Sequence, residues 1–501
     1  MFANVSEIPR SLKLKKERRT MKKLKIGFAG STQVNFAGGA GGGKSKLFEQ
    51  SVQKISDLSK KLDFDYYIYP HFLVTGDDAT KARAAFEAEK VDFTLLQITT
   101  FSAGEIVINL AKVNSAFGLW GLPEPSTDGC IFMDSINSFC GLNMYSSIIV
   151  NYLKDFQIKH KWFYGNPNDD LFTKRFTITI KALSAIKKLK NSKVALVGGI
   201  APGFNDLYFD ERIGQKRLGI QIERNHEFSE IQQRAESYTA AELEKSKTEA
   251  TTGFANIPSV DAKNLDTHLR YYKAYKDFSD EYGYDALGVS CWPKMKDASA
   301  SLSCSVISQL NQNGLPAACE GDLPGAVSML LQKYISAEPV TLMDLSGIDE
   351  TDQSILMWHC GPSPSCYAGA GGACLQLSQQ PTSADTSSHT GLIADMVFKP
   401  QKVTFMRITG EWDKLFLLDG EIINRQKPSP IGSRGWVESL RLNRRNISVL
   451  DLMNTILVGG MQHHYSMAAS DMTEELMEVA AWLGIKPVEA IAYENYLQIG
   501  V

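Results

Sequence analysis

Five acidic and imidazole residues follow apolar, strand-like runs in the C-terminal half of the chain. Glu320 follows PAAC, Asp344 follows VTLM 24 residues later, and His359 follows ILMW. The pair His463 and His464 follows the apolar run ILVGG. If these runs are strands, the five residues lie at strand ends, where open α/β sheets bind ligands. Two carboxylates and an imidazole there suit an oxygen-preferring divalent cation such as manganese or magnesium. A helix cap or a structural histidine is the alternative for each residue taken alone.

A glycine-rich segment at 38–45 matches the phosphate-loop pattern GxxxxGK[ST]. Glycine amides at the start of a helix cradle phosphates in such loops. Here the preceding strand-like run ends near Gly30 and seven residues intervene, whereas a phosphate loop follows its strand directly. We therefore favour a flexible loop, and a nucleotide-dependent kinase is kept as a minor alternative.

The cysteines indicate a reduced, cytoplasmic protein. The chain has 8 cysteines in 501 residues, too few for a disulfide scaffold. One group resembles a zinc cluster, but it lacks the CxxC pairs that zinc ribbons use. Buried or loop thiols are the preferred interpretation of this group, which comprises His359, Cys360, Cys366 and Cys374.

The elements that must position these residues alternate between strand and helix patterns. KIGFAG at 25–30 and KVALVGGI at 193–200 are strand-like, and amphipathic helical stretches follow them. Strands that alternate with helices at this spacing predict parallel sheets in two successive α/β domains. After about residue 338 the chain is strand-rich and predicts a mostly antiparallel part. The predicted units are a disordered extension at 1–20, α/β domains at 21–172 and 173–338, and a β-rich domain at 339–501.

Composition excludes several classes of protein. Hydrophobic residues make up 44% and charged residues 22% of the chain, which is typical of globular proteins. The net charge of −3 gives no reason to expect a nucleic-acid partner. No apolar stretch reaches the roughly 18 residues of a membrane helix, and the basic N-terminus lacks the apolar core of a secretory signal.

Three segments together resemble the L-fucose/L-arabinose isomerase superfamily, and the L-fucose isomerase branch most. They are AACEGDLPGAVSMLL around Glu320, TLMDL around Asp344, and GGMQHHYSMAASDMTEELMEVAAWLGI. The resemblance covers the chain from about Met21 to the end. It implies two N-terminal α/β domains with parallel sheets and a C-terminal β-rich, barrel-like domain.

The resemblance also implies roles for individual residues. Glu320 and Asp344 match carboxylates that bind the metal and act as acid and base. His464 matches a histidine ligand, and His359 is expected to be either a ligand or a substrate contact. Apart from the resemblance, His463 and Trp292 are candidate substrate contacts, and a core or interface role is the alternative for Trp292. The implied cofactor is Mn²⁺, with Mg²⁺ or Co²⁺ as alternatives.

The implied activity is aldose–ketose isomerisation of a free sugar through an enediol. L-Fucose, D-arabinose and a modified hexose, for instance a sulfonated or acidic one, are the expected substrates. The family's architecture implies a homo-oligomer, a trimer or a hexamer. The alternative function is a non-catalytic sugar-binding or regulatory protein with the same architecture.

Overall fold

The computed structural model describes most of the chain. The predicted extension at 1–20 and the glycines at 38–42 lie outside the described residues. The described residues are 22–33, 43–124, 126–127, 130–131, 136–299, 302, 304–378, 391–423, 427–495 and 497.

The N-terminal part is built on a parallel sheet. Its elements are β1 (Lys25–Ser31), α1 (Gly43–Leu62), β2 (Asp65–Ile68), α2 (Gly76–Ala88), β3 (Phe93–Ile98), α3 (Glu105–Leu110), β4 (Ala116–Gly121), β5 (Ser126–Thr127), β6 (Cys130–Ile131), α4 (Ser138–Ser147) and β7 (His160–Tyr164). Five strands pair in the order β2-β1-β3-β4-β7, all parallel. Every residue of the central strand β3 is buried, as is expected of a strand in a sheet covered on both faces.

A second parallel sheet follows. Its elements are α5 (Asp170–Leu189), β8 (Lys193–Val197), α6 (Glu211–Leu218), β9 (Gln221–His226), α7 (Phe228–Ser237), α8 (Ala240–Thr251), α9 (Ala262–Tyr282), β10 (Ala286–Val289), α10 (Lys296–Ser299), α11 (Cys304–Gln312), β11 (Ala317–Ala318) and α12 (Leu323–Ser336). The strands pair in the order β11-β10-β8-β9. Because they are parallel, the loops after β8, β10 and β11 meet at one side, which we call the carboxyl edge.

The C-terminal part contains a closed barrel. Its elements are β12 (Val340–Asp349), β13 (Ser354–His359), β14 (Cys374–Leu377), β15 (Leu392–Val397), β16 (Lys402–Ile408), β17 (Lys414–Ile422), β18 (Ser433–Leu442), β19 (Arg445–Asn446), α13 (Val449–Val458), β20 (His464–Ala468), α14 (Thr473–Leu483) and β21 (Lys486–Pro487). Six antiparallel strands form the ring β13-β12-β20-β16-β17-β18, which closes because β18 also pairs with β13. The remaining strands are additions to this ring.

Helix α12 joins the second sheet to the barrel. Asp322 caps its first turn by accepting a 2.9 Å hydrogen bond from the Gly325 N–H, and Pro324 lies within that turn, where its missing N–H costs nothing. The helix is buried along most of its length and packs against β10 of the sheet and β12, β16 and β20 of the barrel. A helix that is buried on nearly every side belongs in a core. This helix holds the carboxyl edge in place against the barrel.

Two parallel-sheet α/β units and a closed β-barrel confirm the predicted architecture. The boundaries at residues 172 and 338 stay predictions. Within the described part of the chain, no helix combines the length and the apolar character that crossing a bilayer requires.

Candidate active site

Glu320 lies in the turn that follows β11, at the carboxyl edge. Its φ is 61°, in the left-handed region that few residues other than glycine occupy. Gly321 has a φ of 74°, and a Cβ there would lie 2.3 Å from the carbonyl oxygen of Gly199. The N–H of Ala201 donates to the carbonyl of Glu320 at 2.9 Å. The loop after β8 thus holds Glu320 in a strained conformation of the kind that clusters at functional sites.

Asp344, His359 and His464 come from three neighbouring barrel strands. Asp344 on β12 is the register partner of His464 on β20. On the other side of β12 it is paired with Trp358, and His359 is the next and last residue of β13. Strand pairing therefore brings Asp344, His359 and His464 together on the barrel, beside the turn that carries Glu320.

Two local predictions about these residues are wrong. Asp344 does not end its strand, because β12 continues past a bulge at Leu345–Gly347 to Asp349. The run ILVGG is not a strand either, since its apolar residues belong to α13, and His464 begins β20. A short apolar run does not by itself distinguish a strand from a buried helix.

The imidazole of His464 lies between the two predicted catalytic carboxylates. Its Nε2 is 3.3 Å from Oε2 of Glu320 and 3.5 Å from Oδ1 of Asp344. The Nε2 of His359 lies 3.3 Å from the same nitrogen. Both histidines are buried, whereas the side chain of Glu320 is 19% exposed. The side chain of Asp344 is 26% exposed, so the two carboxylates are the accessible members of this cluster.

A buried ion pair, which sequence reasoning missed, holds the other nitrogen of His464. Oδ2 of Asp322 lies 3.0 Å from Nδ1 of His464 and also pairs with Arg407, and the side chains of Asp322 and Arg407 are fully buried. Burial lowers the pKa of His464, but the hydrogen bond to Asp322, with help from Glu320, raises it to about 10. A carboxylate behind a histidine fixes the ring and tautomer of metal-binding histidines.

His463 is next to His464 in sequence but faces solvent, with 40% of its side chain exposed. Its Nδ1 lies 2.6 Å from Oδ2 of Asp206, and its Nε2 lies 3.4 Å from Oε2 of Glu320. Burial raises the pKa of Glu320, but the hydrogen bonds to His463 and His464 outweigh it and hold that pKa well below its usual range. Glu320 is therefore an ionised carboxylate flanked by two imidazoles.

Trp292 and His463 pack against the same aromatic ring, that of Phe204. The ring of Phe204 packs at 5.5 Å from the ring of His463 and at 6.0 Å from that of Trp292. The preceding residue, Cys291, accepts a long 3.4 Å hydrogen bond from the N–H of Glu320. Phe204 thus links Trp292 to His463, and Glu320 contacts both His463 and the residue before Trp292.

Thiols surround His359. Sγ of Cys319 lies 2.9 Å from Nε2, and the N–H of Cys360 donates to Nδ1 at 2.8 Å. Burial lowers the pKa of His359, but Asp344 and Cys360 outweigh it and raise that pKa to about 9, so the ring favours donating a hydrogen bond over binding a metal. Burial raises the pKa of Cys319 well above its usual value. Cys366 and Cys374 belong to neither group of potential ligands among the described residues, which are Cys319, His359 and His464, and Glu320, His463 and His464.

The donors around Nε2 of His464 fit a divalent cation. Oδ1 of Asp344 is buried and has no hydrogen-bond partner among the described residues, an arrangement that is costly unless a ligand satisfies the oxygen. Carboxylates and an imidazole with a carboxylate behind it are donors that divalent metal ions accept. Glu320, Asp344 and His464 are therefore the candidate ligands.

Comparisons with known proteins point to sugar isomerases. No family model matches the chain. The sulfoquinovose isomerase of Priestia aryabhattai is 26% identical over 414 residues, which cover 80% of this chain and 86% of that protein. The enzyme of the same name from Clostridium sp. is 28% identical, with coverages of 78% and 86%. That from Alkalicoccus urumqiensis is 23% identical, with coverages of 84% and 91%.

Among solved structures, the chain matches a periplasmic solute-binding protein of an ABC transporter from Actinobacillus succinogenes with bound D-allose. The match covers 63% of this chain and 93% of that one, at 14% identity and a TM-score of 0.17. A superposition of this quality carries no argument about fold or function.

Proposed function

We propose that this protein is a divalent-cation-dependent aldose–ketose isomerase and that its substrate is a sulfonated hexose, with sulfoquinovose as the first compound to test. The observation that carries the proposal is the imidazole nitrogen of His464 between two carboxylates, one of which has a buried oxygen without a hydrogen-bond partner among the described residues. The names of the relatives support both the reaction and the substrate. L-Fucose and D-arabinose are the uncharged alternatives.

Glu320, Asp344 and His464 would hold the cation, which we propose is manganese, with magnesium or cobalt as substitutes. When bound, the cation polarises the sugar carbonyl and stabilises the negative charge that develops on O1 and O2. Asp322 orients His464 so that Nε2 faces the two carboxylates. The proposed ligand His464 thus already faces the other two proposed ligands, Glu320 and Asp344.

The two carboxylates carry the proton transfers of the proposed reaction. One removes the proton from C2 of the open-chain aldose and delivers it to C1 of the enediol, and the other moves a proton between O1 and O2. We propose that His359 donates from Nε2 to a substrate oxygen and that His463 and Trp292 contact the sugar. We further propose a cytoplasmic homo-oligomer, either a trimer or a hexamer.

The proposal is tested by following ketose formation by NMR from sulfoquinovose, L-fucose and D-arabinose, with chelated protein before and after addition of Mn²⁺. Glu320→Gln should reduce turnover by about 10²- to 10⁴-fold, the usual contribution of one acid–base group, without changing the circular dichroism spectrum. Glu338→Gln, at an exposed site, is the matched control and should behave like the unmodified protein.

Two results would contradict the proposal. Full turnover by Glu320→Gln or by thoroughly chelated protein would exclude this mechanism. Binding of a sugar with no ketose formed from any of the three would instead identify a non-catalytic sugar-binding protein.

A further inference from the structure

The carboxyl edge carries a lysine that has no partner among the described residues. Lys294 lies in the turn Cys291–Met295 after β10 and is exposed. It makes no ion pair or hydrogen bond with any residue that the structure describes. Its stem lies against the loop after β8, because a Cβ at Gly198 would be 3.6 Å from Cγ of Lys294. The charge of Lys294 is thus available to a ligand at the carboxyl edge.

A buried hydroxyl lies beside this lysine. Ser290 is 1% exposed, and its Oγ has no hydrogen-bond partner in the described part of the chain. Its backbone is fully used, since the N–H donates to Val197 and the carbonyl accepts from Met295. A Cβ at Gly198 would lie 2.9 Å from the Cβ of Ser290. Buried hydroxyls are nearly always satisfied by protein, water or ligand, and this one lies unsatisfied next to the stem of Lys294.

Backbone amides complete the group. Gly198 and Gly199 both have positive φ, 80° and 86°, and a Cβ at Gly199 would meet nothing within 4 Å. The space in front of Gly199 is therefore open. The N–H groups of Gly199 and Ile200 donate to no described residue. Successive free amides in such turns form concavities that bind anions.

The group adjoins the candidate active site. The carbonyl of Gly199 is pressed against Gly321, and Cys291, at the start of the turn that carries Lys294, accepts from the N–H of Glu320. Both loops therefore touch the turn of Glu320. The carboxylates of Glu320 and Asp344 repel an anion, whereas Lys294, in the turn whose first residue contacts Glu320, carries a charge that attracts one.

We infer that Lys294, Ser290 and the amides of Gly199 and Ile200 form a subsite for an anionic C6 substituent of the sugar. This inference rests on the proposed function. It assigns specificity to residues of the second sheet, whereas the proposed chemistry depends on Glu320 and the barrel. Sulfonate, phosphate and carboxylate share the required chemistry, and the sulfonate is the group we commit to.

Lys294→Met tests the subsite, with Lys216→Met on the exposed face of α6 as the control. We compare kcat/KM for sulfoquinovose with that for D-quinovose, the uncharged 6-deoxy analogue, at low and high salt. The ratio of the two values should fall about tenfold to a hundredfold in Lys294→Met, the usual effect of losing a hydrogen bond to a charged group. Ser290→Ala should lower it less, and Lys216→Met should match the unmodified protein.

The remaining arms identify the anion and the source of any failure. D-Glucose 6-phosphate and D-glucuronate report whether phosphate or carboxylate replaces sulfonate, and a higher rate with either would overturn the choice of sulfonate. An unchanged ratio in a Lys294→Met protein that still isomerises both sugars would overturn the subsite and leave the proposed function intact. Absence of isomerisation by the unmodified protein would instead overturn the proposed function.

Discussion

Two buried histidines of this protein are held in opposite ways. His464 in the barrel is 0% exposed and His268 on α9 is 2% exposed. His464 faces the carboxylate of Asp322 at 3.0 Å. His268 faces uncharged groups, the hydroxyl of Ser305 at 2.9 Å and the carbonyl of Ala250 at 2.7 Å. Equal burial therefore accompanies two different electrostatic environments.

The consequences for charge are opposite. Burial lowers the pKa of His268 to about 4, and the hydrogen bond to the carbonyl of Ala250 opposes this only in part. Burial also lowers the pKa of His464, but Asp322 and Glu320 raise it to about 10. Neighbouring carboxylates, rather than burial, thus decide which of the two histidines is stable in its charged form. His268 is a structural residue that ties α9 to the end of α8 and to α11.

The largest expected effect comes from removing the carboxylate behind His464. Asp322→Asn should weaken Mn²⁺ binding about tenfold to a hundredfold, as loss of an outer carboxylate typically does. It should also lower the free energy of unfolding by about 3–5 kcal/mol, because Arg407 is left buried without its counter-charge. Isothermal titration calorimetry and urea denaturation measure the two effects.

The double variant Asp322→Asn with Arg407→Met separates them. It should regain stability, since no buried charge is left unpaired, but it should not regain Mn²⁺ affinity. A folded Asp322→Asn protein with unchanged Mn²⁺ affinity would break the comparison, because the carboxylate would then matter only to the ion pair.

The second prediction concerns pH and His268. Its pKa of about 4 in the folded protein lies below the value of about 6.5 in an unfolded chain, so the unfolded chain binds the extra proton between these values. The stability linked to His268 is therefore complete above pH 6.5 and is lost as the pH falls towards 4, by up to roughly 3 kcal/mol. Urea denaturation at pH 7, 6 and 5 measures it.

His268→Gln is the matched variant because glutamine keeps one donor and one acceptor but does not titrate. Its free energy of unfolding should fall less steeply between pH 7 and 5 than that of the unmodified protein. Parallel curves would mean that His268 is not held neutral, and the contrast with His464 would disappear.

Local sequence patterns predict the architecture, but they predict the local structure around the proposed site residues only in part. Strand–helix alternation predicts both parallel sheets, because each βα unit is encoded within a short stretch of chain. Glu320 does follow a short strand. The spacing predicts that Asp344 and His464 follow strands, whereas Asp344 lies within β12 and His464 begins β20. Their selection as site residues therefore rests partly on an incorrect local structure.

The rest of the site depends on contacts between distant residues. Asp322 meets Arg407 across 85 residues and His464 across 142, and no local pattern encodes either contact. The sequence Asp-Leu-Pro-Gly from Asp322 does contain a helix-cap signal, which would have placed that residue at the start of α12. Closure of the barrel also depends on contacts between distant residues, since β18 must pair with both β13 and β17.

The smallest expected effect comes from His463, which shares its sequence neighbourhood with His464 but not its burial. Because His463 is 40% exposed, water already screens its contact with Glu320. His463→Gln should raise KM for the sugar about threefold to tenfold, the usual contribution of one hydrogen bond. Mn²⁺ affinity, measured by calorimetry, should stay within twofold, and Asp206→Asn, which removes the other partner of the ring, is the control. If His463→Gln instead weakens Mn²⁺ binding as strongly as Asp322→Asn, then Glu320, His463 and His464 form the ligand set, and exposure would not separate a metal ligand from a substrate contact in this site.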